Sequence, residues 1–389
     1  MKKIAVITST RAEYGLLRPV IIELRKMEWE GFIVELVVTG THLSEQFGMT
    51  VKEINNENIR IDHEIRIPVG SESAVDISMN QAAALEKFSR LFEREKYFSV
   101  IILGDRYEIL AIAIAAVNTR TPIYHLCGGD VTEGAMDDCI RHSITKMSYL
   151  HFTTNEDSRR RVIQLGEDPK RVFNYGSTSI DNVLRVADMS KQEAMNSVGL
   201  RNGNYAVCTY HPVTLEDNDI DKLIEEFVAA VKAFPEIDFI VTKSNADQGG
   251  AHINSLLDEA DKDIANMHVF TSLGVRRYLS LMRYAQFVLG NSSSGIIETP
   301  AFHIPTVNIG DRQRGRLQAG SIINCESDSE SIINAINLAL EDNFRKKCAL
   351  THSLYGEGNA AEKISQKIVE YLDKEIDLKK KFYNIEVTV

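Results

Sequence analysis

The chain has 389 residues, 44% of them hydrophobic and 25% charged, with a formal net charge of −11. That length and apolar content suit about two soluble domains with cores of their own, and exclude a small chain dependent on disulfide staples. The acidic balance excludes a general nucleic-acid binder, so an anionic ligand has to be met by a local concentration of Arg and Lys.

The opening stretch, MKKIAVITSTRAEYG, has an apolar run over only residues 4–7, too short for the hydrophobic region of a signal peptide. No run of about 18 apolar residues occurs anywhere, so no membrane span is expected. Cys127, Cys139, Cys208, Cys325 and Cys348 form no CxxC pair. An odd number without metal-type spacing points to free thiols in a reducing compartment, and a cytoplasmic location is expected.

In chain order, KKIAVITS, FIVELVVT, FSVIILG and TPIYHLC read as buried strands, with helix-like segments at 16–27 and 107–118. The second half repeats the rhythm with NYAVCTYH, IDFIVTK, NMHVFT, QFVLGN and IPTVNIG. Helices are expected near 216–233, 253–261 and 275–284, and a last one at 360–372. Short apolar runs alternating with amphipathic stretches predict an α/β chain of two Rossmann-like domains, their parallel sheets facing a central cleft. The polar, turn-rich stretch 189–204 marks the join. The expected division is 1–185, 186–360 and a C-terminal helix and tail, 361–389, packing back on the first domain. GxGxxG and P-loop motifs are absent, which argues against a simple dinucleotide-binding dehydrogenase or a P-loop enzyme.

Polar sets recur where strands end. TSTRAEYG puts Arg11 beyond the first strand. ILGDRYE puts Asp105, Arg106 and Glu108 beyond another, readable also as a loop ion pair with a helix cap. HLCGGDVTEGAMDDCIRHSITK carries Asp130, Glu133, Asp137 and Asp138 within nine residues, behind a glycine pair that lets the backbone approach a ligand. Crowded carboxylates raise one another's pKa, which suits acid–base work near neutrality. Arg141 and His142 lie three and four residues after Asp138, on one helix face. A structural pairing of His142 with a carboxylate competes with a catalytic role.

TYHPVT puts His211 at a strand end, and TKSNADQGG does the same for Lys243, Ser244 and Asn245. In GNSSSGIIETPAFHIPTVNIGDRQRGR, Ser292 and Ser293 stand at a helix start where free N–H groups and hydroxyls receive phosphate. A merely capped helix is the alternative. Glu298 on that helix suits ribose hydroxyls. Arg312, Arg314 and Arg316 suit a diphosphate, or else a solvated loop. HxH and HExxH are absent and the acids have arginine neighbours, so neither a metal nor another cofactor is expected.

Together these motifs resemble the hydrolysing UDP-N-acetylglucosamine 2-epimerases of bacterial sialic acid biosynthesis, over roughly residues 3–375. The resemblance implies a two-domain fold like that of GT-B glycosyltransferases, and conversion of UDP-N-acetylglucosamine and water to UDP and N-acetylmannosamine. It puts Arg11, Asn245, Ser292, Ser293, Glu298 and Arg312 around UDP, His211 at the diphosphate and Arg106 near the sugar. It makes Asp105 and Asp137 the catalytic acids, with Asp130 or Glu133 in reserve and His211 counted with them; Arg141, His142 and Arg316 are counted with the substrate-binding residues. The expected partners are the UDP-sugar and UDP, with no nucleic acid and no membrane, in a homodimer or homotetramer.

Many members of that family carry Glu where this chain has Cys127. Relatives with another residue there include enzymes acting on UDP-N,N′-diacetylbacillosamine, the alternative substrate. A GT-B glycosyltransferase, a non-hydrolysing epimerase and a silent nucleotide-sugar sensor are the rival readings.

Overall fold

The structure is a computed structural model that describes residues 1–29, 31–70, 73–132, 136–200, 203–212, 219–244 and 249–386. It divides into two compact units. The first holds residues 1–130, 137–181 and 355–389, and the second 131–136 and 182–354.

The first unit is built on seven parallel strands: β1 (Lys2–Thr8), β2 (Phe32–Thr39), β3 (His63–Ile65), β4 (Ser99–Leu103), β5 (Ile123–Leu126), β6 (Leu150–Thr153) and β7 (Val172–Asn174). Their order is β3-β2-β1-β4-β5-β6-β7. The connecting helices are α1 (Arg11–Lys26), α2 (Val51–Asn56), α3 (Ala74–Glu95), α4 (Tyr107–Asn118), α5 (Asp137–Met147) and α6 (Glu156–Gln164), followed by α7 (Thr178–Val186).

Strand sequences without polar alternation imply cover on both faces, and the packing has it. Ile4 and Val6 of β1 join one apolar cluster while Ala5 and Ile7 join another. Ile101 and Leu103 of β4 part in the same way from Val100 and Ile102. The C-terminal helix, Ala360–Leu372, sends Ala361, Ile364, Ile368 and Leu372 into the first cluster beside α1. Asp181 accepts hydrogen bonds from the free amides of Ala360 and Ala361 at its start, at 3.1 and 3.3 Å.

The second unit begins with α8 (Lys191–Asn196). Its parallel sheet holds β8 (Asn204–Thr209), β9 (Ile237–Thr242), β10 (Met267–Phe270), β11 (Val288–Gly290), β12 (Thr306–Ile309) and β13 (Ile322–Cys325), in the order β10-β9-β8-β11-β12-β13. Its other helices are α9 (Ile220–Lys232), α10 (Gly250–Asp263), α11 (Gly274–Tyr284), α12 (Ser293–Ile297), α13 (Ser329–Leu340) and α14 (Asp342–Ala349). Ala206 and Cys208 face one core, Tyr205 and Val207 the other.

Each sheet is doubly wound and reverses its strand order once, between β1 and β4 and between β8 and β11. A crevice opens beyond the carboxyl ends at such a reversal, because the two connections leave in opposite directions. Among the described residues, no helix is long and apolar enough to cross a membrane.

Candidate functional site

In the first unit, Thr10 caps α1, its side chain accepting from the Glu13 amide, and Arg11 is the first helical residue. Past β4, Gly104 takes a left-handed φ of 78° and turns the chain so that Asp105 and Arg106 follow at the head of α4. Arg106 Nε donates to Glu108 Oε1 at 2.9 Å. Arg11, Arg106 and Asp105 thus flank the reversal between β1 and β4.

Past β5 comes Cys127, left-handed with φ 63°, then Gly128 and Gly129. The sequence suggested that this glycine pair admits a ligand. Within the unit it also serves packing: a Cβ on Gly129 would stand 2.3 Å from the Ser158 carbonyl oxygen, and one on Gly128 would stand 3.0 Å from His125 Nδ1. Buried His125 sends Nε2 to the Gly104 carbonyl at 2.9 Å, and burial pushes its pKa down to about 3. It is therefore a neutral donor that pins the turn before Asp105.

Arg141 is the hub of this region, and only 2% exposed. Its Nε donates to Asp105 Oδ2 at 2.8 Å, and Nη2 donates to the same oxygen. Nη1 serves the Asp130 carbonyl at 2.7 Å and Asp138 Oδ1 at 3.1 Å. Although burial opposes its charge, the acids prevail and hold its pKa above the ordinary arginine value. The sequence placed Arg141 with the substrate-binding residues; the fold turns its guanidinium inward to orient Asp105.

His142 Nε2 lies 3.4 Å from Asp138 Oδ2, and burial outweighs that acid to lower its pKa. Asp130 Oδ1 accepts from Thr154 Oγ1 at 2.7 Å and Ser158 Oγ at 2.6 Å, which fixes it in the scaffold. Asp137 opens α5 and is exposed. Glu133 lies outside the described residues.

In the second unit, His211 is buried just past β8. Its amide donates to Asn291 Oδ1 at 2.7 Å, its carbonyl accepts from Asn291 Nδ2 at 2.8 Å, and its Nδ1 lies 3.1 Å from Ser244 Oγ. Lys243 turns to Asp258 at 2.6 Å. Asn245 is outside the described residues.

Past β11, Gly290 has φ 131°, and a Cβ there would stand 2.0 Å from the Thr209 carbonyl oxygen. Ser292 is the N-cap of α12, accepting from the Ser294 amide, and Ser293 is its first residue. The expected helix proves to be five residues long and runs into a short 3₁₀ turn, Thr299–Phe302, that contains Pro300. So short a helix has little macrodipole, and the hydroxyls and exposed amides have to carry any anion binding. Glu298 sits at the junction of the two turns and accepts from Ser294 Oγ. Burial pushes its pKa up to about 7.

The three arginines after β12 divide. Arg312 Nη1 donates to the Asn291 carbonyl at 3.1 Å, joined there by Gln313 Nε2 at 2.8 Å. Arg316 Nη2 reaches Thr132 Oγ1 at 3.3 Å. Arg314 turns to Asp311 at the surface. Asn291 and Gln313, passed over in the sequence, thus tie the β8, β11 and β12 loops together. Their only sequence signal was polar residues next to strand ends.

Among the described residues, Glu35, His63 and Glu95 form the single set with metal-ligand spacing. Lys3 Nζ stands 3.1 Å from Glu35 and 2.9 Å from Glu95, supplying a cation already.

A family model described as UDP-N-acetylglucosamine 2-epimerase matches residues 25–369. The chain is similar to the hydrolysing GDP/UDP-N,N′-diacetylbacillosamine 2-epimerase of Campylobacter jejuni, at 39% identity over 87% of each chain. It is 36% identical to the polysialic acid biosynthesis protein P7 of Escherichia coli, over 99% of this chain and 98% of that one. It is 32% identical to the hydrolysing UDP-N,N′-diacetylbacillosamine 2-epimerase of Legionella pneumophila, over 94% and 95% of the two chains. Among solved structures, a UDP-GlcNAc 2-epimerase from Neisseria meningitidis, bound to UDP-GlcNAc, matches with a TM-score of 0.83 at 20% identity, over 95% of this chain and all of that one. That likeness establishes the α/β, GT-B-like fold.

Proposed function

The chain belongs to the UDP-N-acetylglucosamine 2-epimerase family, and from that premise we propose that it is a hydrolysing 2-epimerase. It takes a UDP-activated 2-acetamido sugar and water to UDP and the free 2-epimer. The observation that carries this reading is Asp105, held at the carboxyl end of β4 by the buried fork of Arg141, in a chain similar over most of its length to two hydrolysing epimerases.

The C2 hydrogen of the sugar is barely acidic. Breaking the C1–O bond first makes an oxocarbenium-like centre that acidifies it. UDP therefore has to leave as a stabilised anion, which Arg312, Arg316, His211 and the amides and hydroxyls at Ser292 and Ser293 favour. Asn245 and Arg11 complete the proposed nucleotide set, and Glu298 accepts the ribose hydroxyls.

A carboxylate then removes the C2 proton and leaves a 2-acetamidoglucal. Water adds at C1 while C2 receives a proton on the opposite face. The fork of Arg141 orients Asp105, which suits a base at that position; exposed Asp137 suits the second proton transfer, with Arg106 and His142 near the sugar. Asp137→Asn is expected to lower turnover about 10²–10⁴-fold, the worth of one general acid or base, with UDP affinity retained in a calorimetric titration. Unchanged turnover would remove Asp137 from the scheme.

UDP-N-acetylglucosamine, giving N-acetylmannosamine for sialic acid synthesis, is the first substrate reading, supported by similarity to polysialic acid protein P7. UDP-N,N′-diacetylbacillosamine is the second, favoured by the Campylobacter and Legionella relatives. Proton NMR in D₂O with each sugar tests both. The expected result is free UDP and a 2-epimer with deuterium at C2, from one substrate much faster than the other. Protium kept at C2 would defeat the glucal route, and a returned UDP-sugar epimer would defeat hydrolysis.

A further inference from the structure

Next to the reversal between β1 and β4 lies a polar cluster that this chemistry does not use. Ser9, Glu13 and Glu108 are 0%, 5% and 2% exposed. Ser9 Oγ is 2.8 Å from Glu13 Oε2 and 2.8 Å from Glu108 Oε1. The Ser9 amide donates to the same Glu13 oxygen at 2.7 Å, and Arg106 Nε donates to the same Glu108 oxygen at 2.9 Å.

A serine hydroxyl has one hydrogen, and an ionised carboxylate has none to give. Ser9 can donate to only one of the two oxygens, so the other contact needs a proton on a carboxyl group. Glu108 faces the guanidinium of Arg106, whereas Glu13 receives only neutral donors, so the proton belongs on Glu13. The chain then runs from Glu13 Oε2–H to Ser9 Oγ–H to the Glu108 anion, which Arg106 also serves. The remaining oxygens, Glu13 Oε1 and Glu108 Oε2, are buried with no hydrogen-bond partner among the described residues. An unpaired oxygen costs less on a neutral carboxyl than on a second buried anion.

We propose that Glu13 and Glu108 hold a single proton between them through Ser9, and that this pair is the positioning device that fixes Arg106 at the head of α4. Its consequence for catalysis rests on the reading of Arg106 as a sugar-side residue. Burial and the neighbouring Glu108 charge push the Glu13 pKa up to about 8, against the opposing pull of Arg106 and Ser9. The other groups around the pair do not supply a competing proton near that pH. His42, on the turn after β2, lies 3.0 Å from Thr8 Oγ1, and burial lowers it to about 4. The Tyr107 phenol of α4 is raised by burial, Arg11 is a permanent cation, and Asp105 is engaged by Arg141. When the shared proton leaves, two anions compete for one hydroxyl hydrogen and for Arg106.

Infrared difference spectroscopy of the whole protein tests the proton directly. In an E298Q background, where Glu298 cannot contribute, the protein should show the carbonyl stretch of a protonated carboxyl at pH 7 that is lost when E13Q is added and titrates away as pH rises through about 8. In E108Q its midpoint should fall, because the neighbouring anion is gone. Absence of the band from E298Q, or its survival in the E13Q/E298Q double variant, overturns the proposal. So does a midpoint unmoved in E108Q.

In turnover, E13Q mimics the protonated acid and should escape the alkaline rise in KM that the parent shows. E13A should raise KM at every pH, and E108Q should raise it about tenfold through loss of one charge-assisted contact to Arg106. An E13Q as impaired as E13A would show that Glu13 works as an anion and overturns the positioning role. If no UDP-sugar is turned over, the family chemistry fails while the spectrum still decides the shared proton.

Discussion

Asn291 works with every polar atom it has. Its side-chain amide closes a two-bond clasp on the backbone of His211, and its carbonyl takes Arg312 and Gln313. Asn291→Ala leaves a buried N–H and a buried C=O unpaired, so we expect about 1–3 kcal/mol lost in urea unfolding, with UDP bound more weakly in a calorimetric titration. Unaltered UDP affinity would separate the clasp from the nucleotide site.

Glu298 gives a prediction with a sign. Its folded pKa, about 7, lies above the unfolded carboxyl value. The stability it contributes is thus complete below the unfolded value and declines as pH rises through about 7. If Glu298 holds the ribose as proposed, binding runs the other way, because only the anion accepts both hydroxyls. Uridine, which has no phosphate to titrate, should bind more tightly as pH rises through about 7, and Glu298→Gln should flatten that curve.

Neither Asn291 nor Arg141 could be understood from the sequence. Asn291 meets His211 across 80 positions, and Arg141 meets Asp105 across 36. Those encounters exist only once parallel strands are paired. What the sequence does reveal is residue type at a strand end, and most of the candidate residues were found by that signal.

At the level of elements, the long apolar strands and periodic helices were legible. The helix expected at 107–118 coincides with α4, and the one expected at 360–372 coincides with the C-terminal helix. The strands passed over are β3, β6, β7 and β13, of three or four residues each. The helix expected near 216 is described from Ile220, capped by Asp219, whose side chain receives the Lys222 amide. Pro300 helps explain why α12 stops so soon: it has no amide hydrogen to donate back to the Ile296 carbonyl, so the α-helical ladder cannot continue through it.

The segment after the C-terminal helix gives an element-scale test. Lys380 Nζ lies 2.7 Å from Glu167 Oε2 and donates to the carbonyls of Lys146 and Ser148. Glu167 is wholly buried. Although burial opposes its charge, His151, Lys146 and Lys380 prevail and hold its pKa down to about 2. The stability this brings is present above the unfolded carboxyl pKa and is lost as pH falls toward about 2. Lys380→Met should lower stability by about 1–3 kcal/mol at neutral pH, measured by urea denaturation, and by less in acid. An equal loss at both pH values would show that Lys380 acts through packing alone.

For the whole molecule, two sheets with separate apolar cores imply unfolding that departs from a single two-state step. If the nucleotide is held by His211, Ser292, Glu298 and Arg312, all in the second unit, UDP should raise one calorimetric transition far more than the other. At a hundredfold excess over Kd the gain is about 2.7 kcal/mol. Equal shifts of both transitions would place the nucleotide's grip on both units. The net charge of −11 gives the substrate no general attraction, so the local arginines have to supply it.

Gly290 sets how ready that grip is. Its backbone lies against the Thr209 carbonyl with no room for even a methyl group, so β8 and the chain leaving β11 are in direct contact. The residues that follow, Asn291 through Ser293, consequently inherit the rigidity of a sheet and not the slack of a connection. The nucleotide proposed to bind there would meet groups already in position, with little of its binding energy spent on ordering them.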